Sequence, residues 1–182
     1  MLRSENLLLR AIEPSDLDLM HEWENNPAIW HLGRTVSPFS KYSIQEYIRH
    51  VEQDIYATRQ LRFVIEQLHE PKKTIGYIDL YEFDPLHRRA GVGILIGDES
   101  ERRIRYASEA LRTLIPYSFN FLNLRQLFCF IPENNFPSKA LFGNNGFKEA
   151  GILQDWLLVS GEWIPVIVMQ LINYEREEDI EE

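Results

Sequence analysis

Apolar positions along the chain follow two spacings, and the switches between them mark out the elements. Leu7 to Ile12 is a short apolar run ending at Glu13-Pro14-Ser15-Asp16, where proline and acids suit the first turn of a helix reaching about Asn25. Asn25-Asn26-Pro27 breaks that helix, and a stretch of aromatics and turn formers (Trp30, His31, Gly33, Ser37, Pro38, Phe39) reads as a shaped loop. From about Ser43 to Arg59 the residues Ile44, Tyr47, Ile48, Val51 and Ile55 recur every three or four positions, which predicts a second helix with one buried face. Leu61 to Leu68 and Thr74 to Phe83 are rich in β-formers and are joined by His69-Glu70-Pro71-Lys72-Lys73, a hairpin connection; Arg88 to Ile96 adds a third strand.

Gly97-Asp98-Glu99-Ser100 then opens a helix from about Ile104 to Leu122. Arg125 to Ile131 is strand-like and Pro137 to Asn144 a short helix, while Phe147 to Val159 and Glu162 to Leu171 form a closing hairpin around Ser160-Gly161. A meander followed by strand, helix, strand, helix and hairpin predicts an α/β fold with a mixed, mostly antiparallel sheet flanked by helices. At 182 residues, 45% of them hydrophobic, the chain is long enough for one core and short for two domains. The expected organisation is a single domain over residues 1–174 and an acidic tail over 175–182.

Charge narrows the possible partners. Six acids against one arginine in the tail supply −5 of the formal −9, leaving the body near −4. That balance argues against a nucleic-acid footprint and suits a cationic partner. Cys129 is the single cysteine and lies between Phe128 and Phe130, so it reads as a packing residue in a reducing, cytoplasmic protein without disulfides. The start of the chain lacks the features of a signal peptide, and no apolar run approaches the roughly 20 residues that span a bilayer. The histidines show no ligand spacing and no Gly-x-Ser-x-Gly or Walker loop occurs, so no metal and no common hydrolase chemistry is expected.

Two motifs carry a resemblance. Ile96-Gly97-Asp98 through Arg102-Arg103-Ile104-Arg105-Tyr106-Ala107-Ser108-Glu109-Ala110-Leu111 is similar to the acetyl-CoA motif of GNAT acetyltransferases, Gln/Arg-x-x-Gly-x-Gly/Ala; Arg102 and Ala107 match it and Arg105 replaces the glycine. Asn135-Phe136-Pro137-Ser138 followed by Gly146-Phe147 resembles the second signature of that family. The likeness runs from Leu8-Leu9-Arg10 to the last strand and is strongest towards the ribosomal-protein N-terminal and spermidine acetyltransferases, the latter sharing a run like His87 to Ala90. It implies the GNAT acyl-CoA N-acyltransferase fold and direct transfer of an acetyl group from acetyl-CoA to a primary amine. The partners implied are a polyamine-like small molecule or a protein N-terminus, and a homo-oligomer such as a dimer is admitted.

The same resemblance assigns residues. Leu95, Ile96, Arg102, Arg103, Ile104, Arg105, Tyr106, Ala107, Ser108, Asn135 and Ser138 would hold the cofactor, Asp79 and Glu82 would flank the amine with Glu82 as first choice of base, and Glu22, Trp23, Asn26, Trp30, His31 and Phe39 would line the acceptor pocket. Physically, a helix N-terminus offers unpaired amides and partial positive charge to a pyrophosphate, and Arg102, Arg103 and Arg105 beside it are relieved by a polyanion. The alternative is that these arginines point to solvent, balanced by Asp98, Glu99 and Glu101. A protonated alkylamine must lose a proton before attack, which calls for a carboxylate. Phe142 stands where relatives carry a tyrosine acid, so with Arg105 it favours a second reading, a catalytically silent module binding CoA or a cation. Aminoglycoside modification is a third, differing only in acceptor.

Overall fold

The computed structural model describes residues 1–27, 37–50, 54–102 and 104–174. An eight-stranded sheet runs in the order β1-β2-β3-β4-β5-β6-β8-β7. Its strands are β1 Leu2–Arg3, β2 Leu7–Arg10, β3 Leu61–Gln67, β4 Thr74–Asp84, β5 Arg89–Ile96, β6 Gln126–Pro132, β7 Lys148–Val159 and β8 Glu162–Ile172. All neighbours pair antiparallel except β5 with β6. The described helices are α1 Leu17–Glu24, α2 Lys41–His50, α3 Ile55–Thr58, α4 Ile104–Pro116 and α5 Phe136–Asn144. None of them is long and apolar enough to cross a membrane. Residues 175–182, read above as an acidic tail, lie outside the described residues.

Period-2 alternation divides the sheet into two apolar faces. One face, with Ile65, Ile78, Leu80, Ala90, Val92, Leu127 and Cys129, packs on Ala107, Ala110, Leu111 and Leu114 of α4 and on Leu141 and Phe142 of α5. The α4 residues recur at three- and four-residue steps, so they form one stripe. On the other face Val64 and Tyr77 pack under Met20 and Trp23 of α1 and Ile44 and Ile48 of α2. Gly97, just after β5, permits this second contact: a Cβ there would lie 2.2 Å from the Trp23 ring.

The structure departs from the sequence reading at three places. The helix expected from Ser43 to Arg59 is two pieces, because Asp54 accepts a hydrogen bond from the Tyr56 amide at 3.1 Å and starts α3 afresh; Val51 lies outside the described residues. The helix expected up to Leu122 is α-helical only to Pro116 and continues as a π-turn, Tyr117–Phe121, in which the Leu122 amide donates to the Tyr117 carbonyl. Pro116 has no N–H for the carbonyl four residues back, so the ladder loses its register there. The third difference is an addition: β1, not predicted, is two residues long and too short to show a period. The Ser160-Gly161 hairpin is formed as read, with φ of 51° and 86° at its two central residues, as a two-residue I′-type turn requires.

Arg10 fastens the first strand to the rest. Its Nη1 and Nη2 donate to both oxygens of Asp16, Nε donates to Glu66, and Nη2 also reaches Thr74. Asp16 is 4% exposed. Burial alone would raise its pKa, but the Arg10 hydrogen bonds and the Glu13 amide outweigh it and hold the carboxyl below the ordinary range. A depressed folded pKa contributes stability above the unfolded value of about 3.9, and that stability is lost as pH falls through the folded value. Asp16→Asn is therefore expected to cost about 3 kcal/mol in urea unfolding at pH 7, with the difference from the parent shrinking as pH drops below 4.

Candidate active site

The parallel pairing of β5 with β6 is short: Arg89, Ala90 and Gly91 face Gln126, Leu127 and Phe128, and beyond them the ladder ends. The strands splay apart from that point. Burial changes at the same place, Ala90 to Val92 being buried and Gly93 to Ile96 only half-buried. From Gly91 to Ile96 the opened edge of β5 is about 17 Å long at 3.3 Å per residue. It leads from the apex of the splay to the start of α4, whose opening turn carries amides that the helix itself cannot satisfy.

That helix start is pinned by ion pairs. Lys73 reaches Asp98 at 2.6 Å and Glu101 at 3.5 Å, and the Lys73 bond, with those from Ser100, brings Asp98 down to about 2. Arg102 donates from Nε to the Ile96 carbonyl and pairs with Glu99, so it closes the turn back onto β5. Arg103 and the side chain of Ile104 lie outside the described residues. Arg105 is exposed in the first turn of α4 and does not have the positive φ that would call for glycine. Leu95 and Ile96 border the opened edge. Tyr106 is half-buried and Ala107 buried against the core, while Ser108 exchanges hydrogen bonds with Asn145 and ties α4 to the end of α5. Asn135 caps α5 by accepting from the Ser138 amide at 3.2 Å.

At the apex of the splay β4 carries a bulge. Tyr81 pairs with Gly91 and Asp84 with Arg89, so Glu82 and Phe83 together oppose one residue. Phe83 is buried in the core, and Glu82, at φ 49°, is exposed on the other face. Tyr81, Glu82 and Asp84 thus share one side of β4. A cleft of about 600 Å³ opens there, lined by Glu82, Asp84, Arg59, Arg89, Gln126, Phe128, Phe130, Val168 and Gln170. Tyr81, Phe128 and Phe130 form a row of edge-on ring contacts at 5.9 and 5.5 Å. Gly91 makes room for it, since a Cβ there would meet the Tyr81 ring at 2.3 Å. Asp84 accepts from the His87 amide and is held against the His87 imidazole, which together lower its carboxyl to about 2.

The second carboxylate read from sequence is differently engaged. Asp79 forms a two-pronged ion pair with Arg62, at 2.7 and 2.8 Å, and Arg62 also donates to Glu24 at 2.9 Å. Tyr77 donates its hydroxyl to the same Glu24 oxygen, and the Arg62 guanidinium lies 4.3 Å from the Tyr77 ring centroid. Burial pushes the Tyr77 hydroxyl far above its usual range. A smaller pocket of about 280 Å³ above this cluster is lined in part by Glu24, Phe39, Tyr47 and Arg62. Trp23 is core, 6% exposed, and Glu22 lies on the exposed side of α1. Asn26 is half-buried, and its neighbour Asn25 bridges the end of α1 to the backbone of Phe39 in both directions. Trp30 and His31 fall outside the described residues.

The first sequence motif falls at the start of α4 and the second on α5, and the model of the acetyltransferase (GNAT) domain matches residues 6–148. The chain belongs to the GNAT acetyltransferase family. Within that family it is 28% identical over 172 residues to a spermidine N(1)-acetyltransferase of Vibrio cholerae, covering 93% of this chain and 95% of the relative. A crystal structure of spermidine N-acetyltransferase from Vibrio cholerae in complex with CoA and spermine superposes with a TM-score of 0.79 at 29% identity, over 91% of this chain and 95% of that one. A dodecameric structure of the Vibrio cholerae protein, at 28% identity and TM-score 0.75, covers 91% of this chain and 93% of its own. This GNAT domain is accordingly an N-acetyltransferase of mixed α/β architecture.

Sequence reasoning missed Arg62, Arg59, Asp84 and the Phe128–Phe130 floor as site components. Alternation along β4 could have put Asp79 and Tyr81 on one face, but the bulge that adds Glu82 to it leaves no compositional mark. Replacing Arg62 by Met strands Asp79 and Glu24, so it is expected to lower unfolding stability by about 3 kcal/mol, and Arg62→Met with Asp79→Leu should recover most of that loss in a double-mutant cycle.

Proposed function

We propose that this GNAT domain transfers the acetyl group of acetyl-CoA directly to a primary amine, with Glu82 as the general base. The observation that carries the reading is the meeting of two features at one point: the β5–β6 splay closes at Gly91 and Phe128, and Glu82 sits beside that apex in the wall of the open cleft. The splay is long enough to take an extended pantetheine arm lying along β5, with its phosphates at the start of α4 near Arg102 and Arg105. The thioester then ends at the apex.

The chemistry follows from those positions. Glu82 takes a proton from the ammonium, directly or through water, and the freed amine attacks the thioester carbonyl. A backbone N–H of the opened β5 edge is available to the oxyanion. CoA leaves as thiolate and takes its proton from solvent, because Phe142 is packed in the core against Phe147, with ring centroids 5.0 Å apart, and carries no hydroxyl. Asp79, clamped by Arg62, holds the α1 side of the site in place. Asn135 caps α5 by accepting from the Ser138 amide, next to the arm. The domain is taken to span residues 1–174. Self-association is assigned to the outer hairpin, where Ile152, Trp156, Leu158 and Trp163 are exposed.

The relatives make spermidine and spermine the first acceptors to assay, and the sequence resemblance adds peptide N-termini. The alternative of a silent binding module drew on Arg105 and Phe142; Arg105 in an ordinary helical turn no longer counts for it, and Phe142 still does. Release of CoA thiol distinguishes the two. Glu82→Gln is expected to lower kcat by about 10²-fold or more with acetyl-CoA binding retained; an unchanged kcat removes Glu82 from the mechanism. Arg105→Glu is expected to weaken acetyl-CoA binding by about tenfold in calorimetry, since it sets a negative charge against phosphate. Equal affinity would remove the phosphate site from α4.

A further inference from the structure

Among the described residues that line the cleft the charge is balanced. Glu82 and Asp84 face Arg59 and Arg89 around the floor of Phe128 and Phe130. A site built only for a polycation would oppose each ammonium with acid and keep guanidinium groups away. Here one carboxylate is already neutralised inside the protein, because Asp84 is bonded by His87 and lies 3.3 Å from Arg89. Arg59 is fixed differently: it ends α3 at φ 57°, donates from Nη1 to the Phe83 carbonyl at 3.0 Å, and accepts the Phe83 amide on its own carbonyl. These bonds straddle the bulge that carries Glu82. Among the described residues Arg59 has no carboxylate partner, so the lining presents a fixed guanidinium beside the proposed base.

We propose that the acceptor is a small zwitterion, an amino acid with an apolar or alkyl side chain, whose carboxylate is bound by Arg59 while its amine meets Glu82. This rests on the transferase reading above and deepens it. An arginine suits a carboxylate by its planar fork of donors, and Phe128 with Phe130 gives the side chain an apolar surface. The step balances: the amine nitrogen forms a bond to the acetyl carbon, the carbon–sulfur bond breaks, Glu82 takes the ammonium proton, and CoA thiolate is protonated from water, leaving an N-acetyl amino acid.

The test compares amines that differ only by a carboxylate: phenylalanine against phenethylamine, lysine against cadaverine and ornithine against putrescine, with spermidine alongside, each followed by CoA thiol release from acetyl-CoA. The carboxylate-bearing member of each pair is expected to show a kcat/KM about tenfold or more above its partner. Arg59→Met should erase that preference through KM, and Arg59→Lys, which keeps the charge should Met at this position unfold the bulge, should retain part of it. A preference for the decarboxylated amines and spermidine, unaltered by either variant, overturns the inference and leaves the transferase reading standing. Absence of thiol release from every amine, with acetyl-CoA bound, overturns both.

Discussion

The short parallel contact between β5 and β6 is the constraint on which the site depends. Three residue pairs hold the two halves of the sheet in one plane, and then the strands part. Parting leaves one edge of β5 with backbone donors and acceptors that no strand meets, and buried backbone groups demand partners. An extended chain of amides, such as the pantetheine arm in the proposed function, would satisfy that demand in the manner of an added strand. The same divergence puts the start of α4 at the open end and the bulge of β4 at the closed end. In the function proposed above, this geometry would order donor phosphate, donor thioester and proton acceptor along one line.

Charge is used in this molecule mainly to fix positions. Arg10 joins β2, β3, β4 and the turn before α1; Arg62 joins β3, β4 and α1; Lys73 joins the β3–β4 hairpin to the turn before α4. Glu109, 8% exposed on α4, accepts from Ser4, the Asn6 amide and the Asn6 side chain, and so anchors the first hairpin to the helix that starts at the splay. Burial would raise the Glu109 pKa, and these hydrogen bonds bring it below the ordinary range. Such partly buried ion pairs contribute little net stability compared with apolar packing, but each fixes an angle between elements.

Much of this architecture was legible in the sequence, for reasons that differ by region. Strands β3 to β8 show in their richness in β-formers and the turns between them, and the Ser160-Gly161 turn declares itself because few residue pairs accept two positive φ values. The α4 stripe was equally plain. What could not be read were events that need a neighbour: the Pro116 π-turn, the restart of the helix at Asp54, and the bulge that turns Glu82 to the open face. The family motifs led to α4 and α5 correctly, but alternation along β4 gave no sign that Asp79 would be spoken for by Arg62. Arg59 passed unnoticed because nothing in a linear pattern says which arginines border a cavity.

Glu82 has a backbone at φ 49°, a conformation that glycine adopts without steric cost and a glutamate does not. Local stability and the chemistry proposed for Glu82 therefore pull against each other at this one residue. A chain drifting towards greater thermal robustness would be drawn to glycine here, and would give up the proposed base while folding better than before.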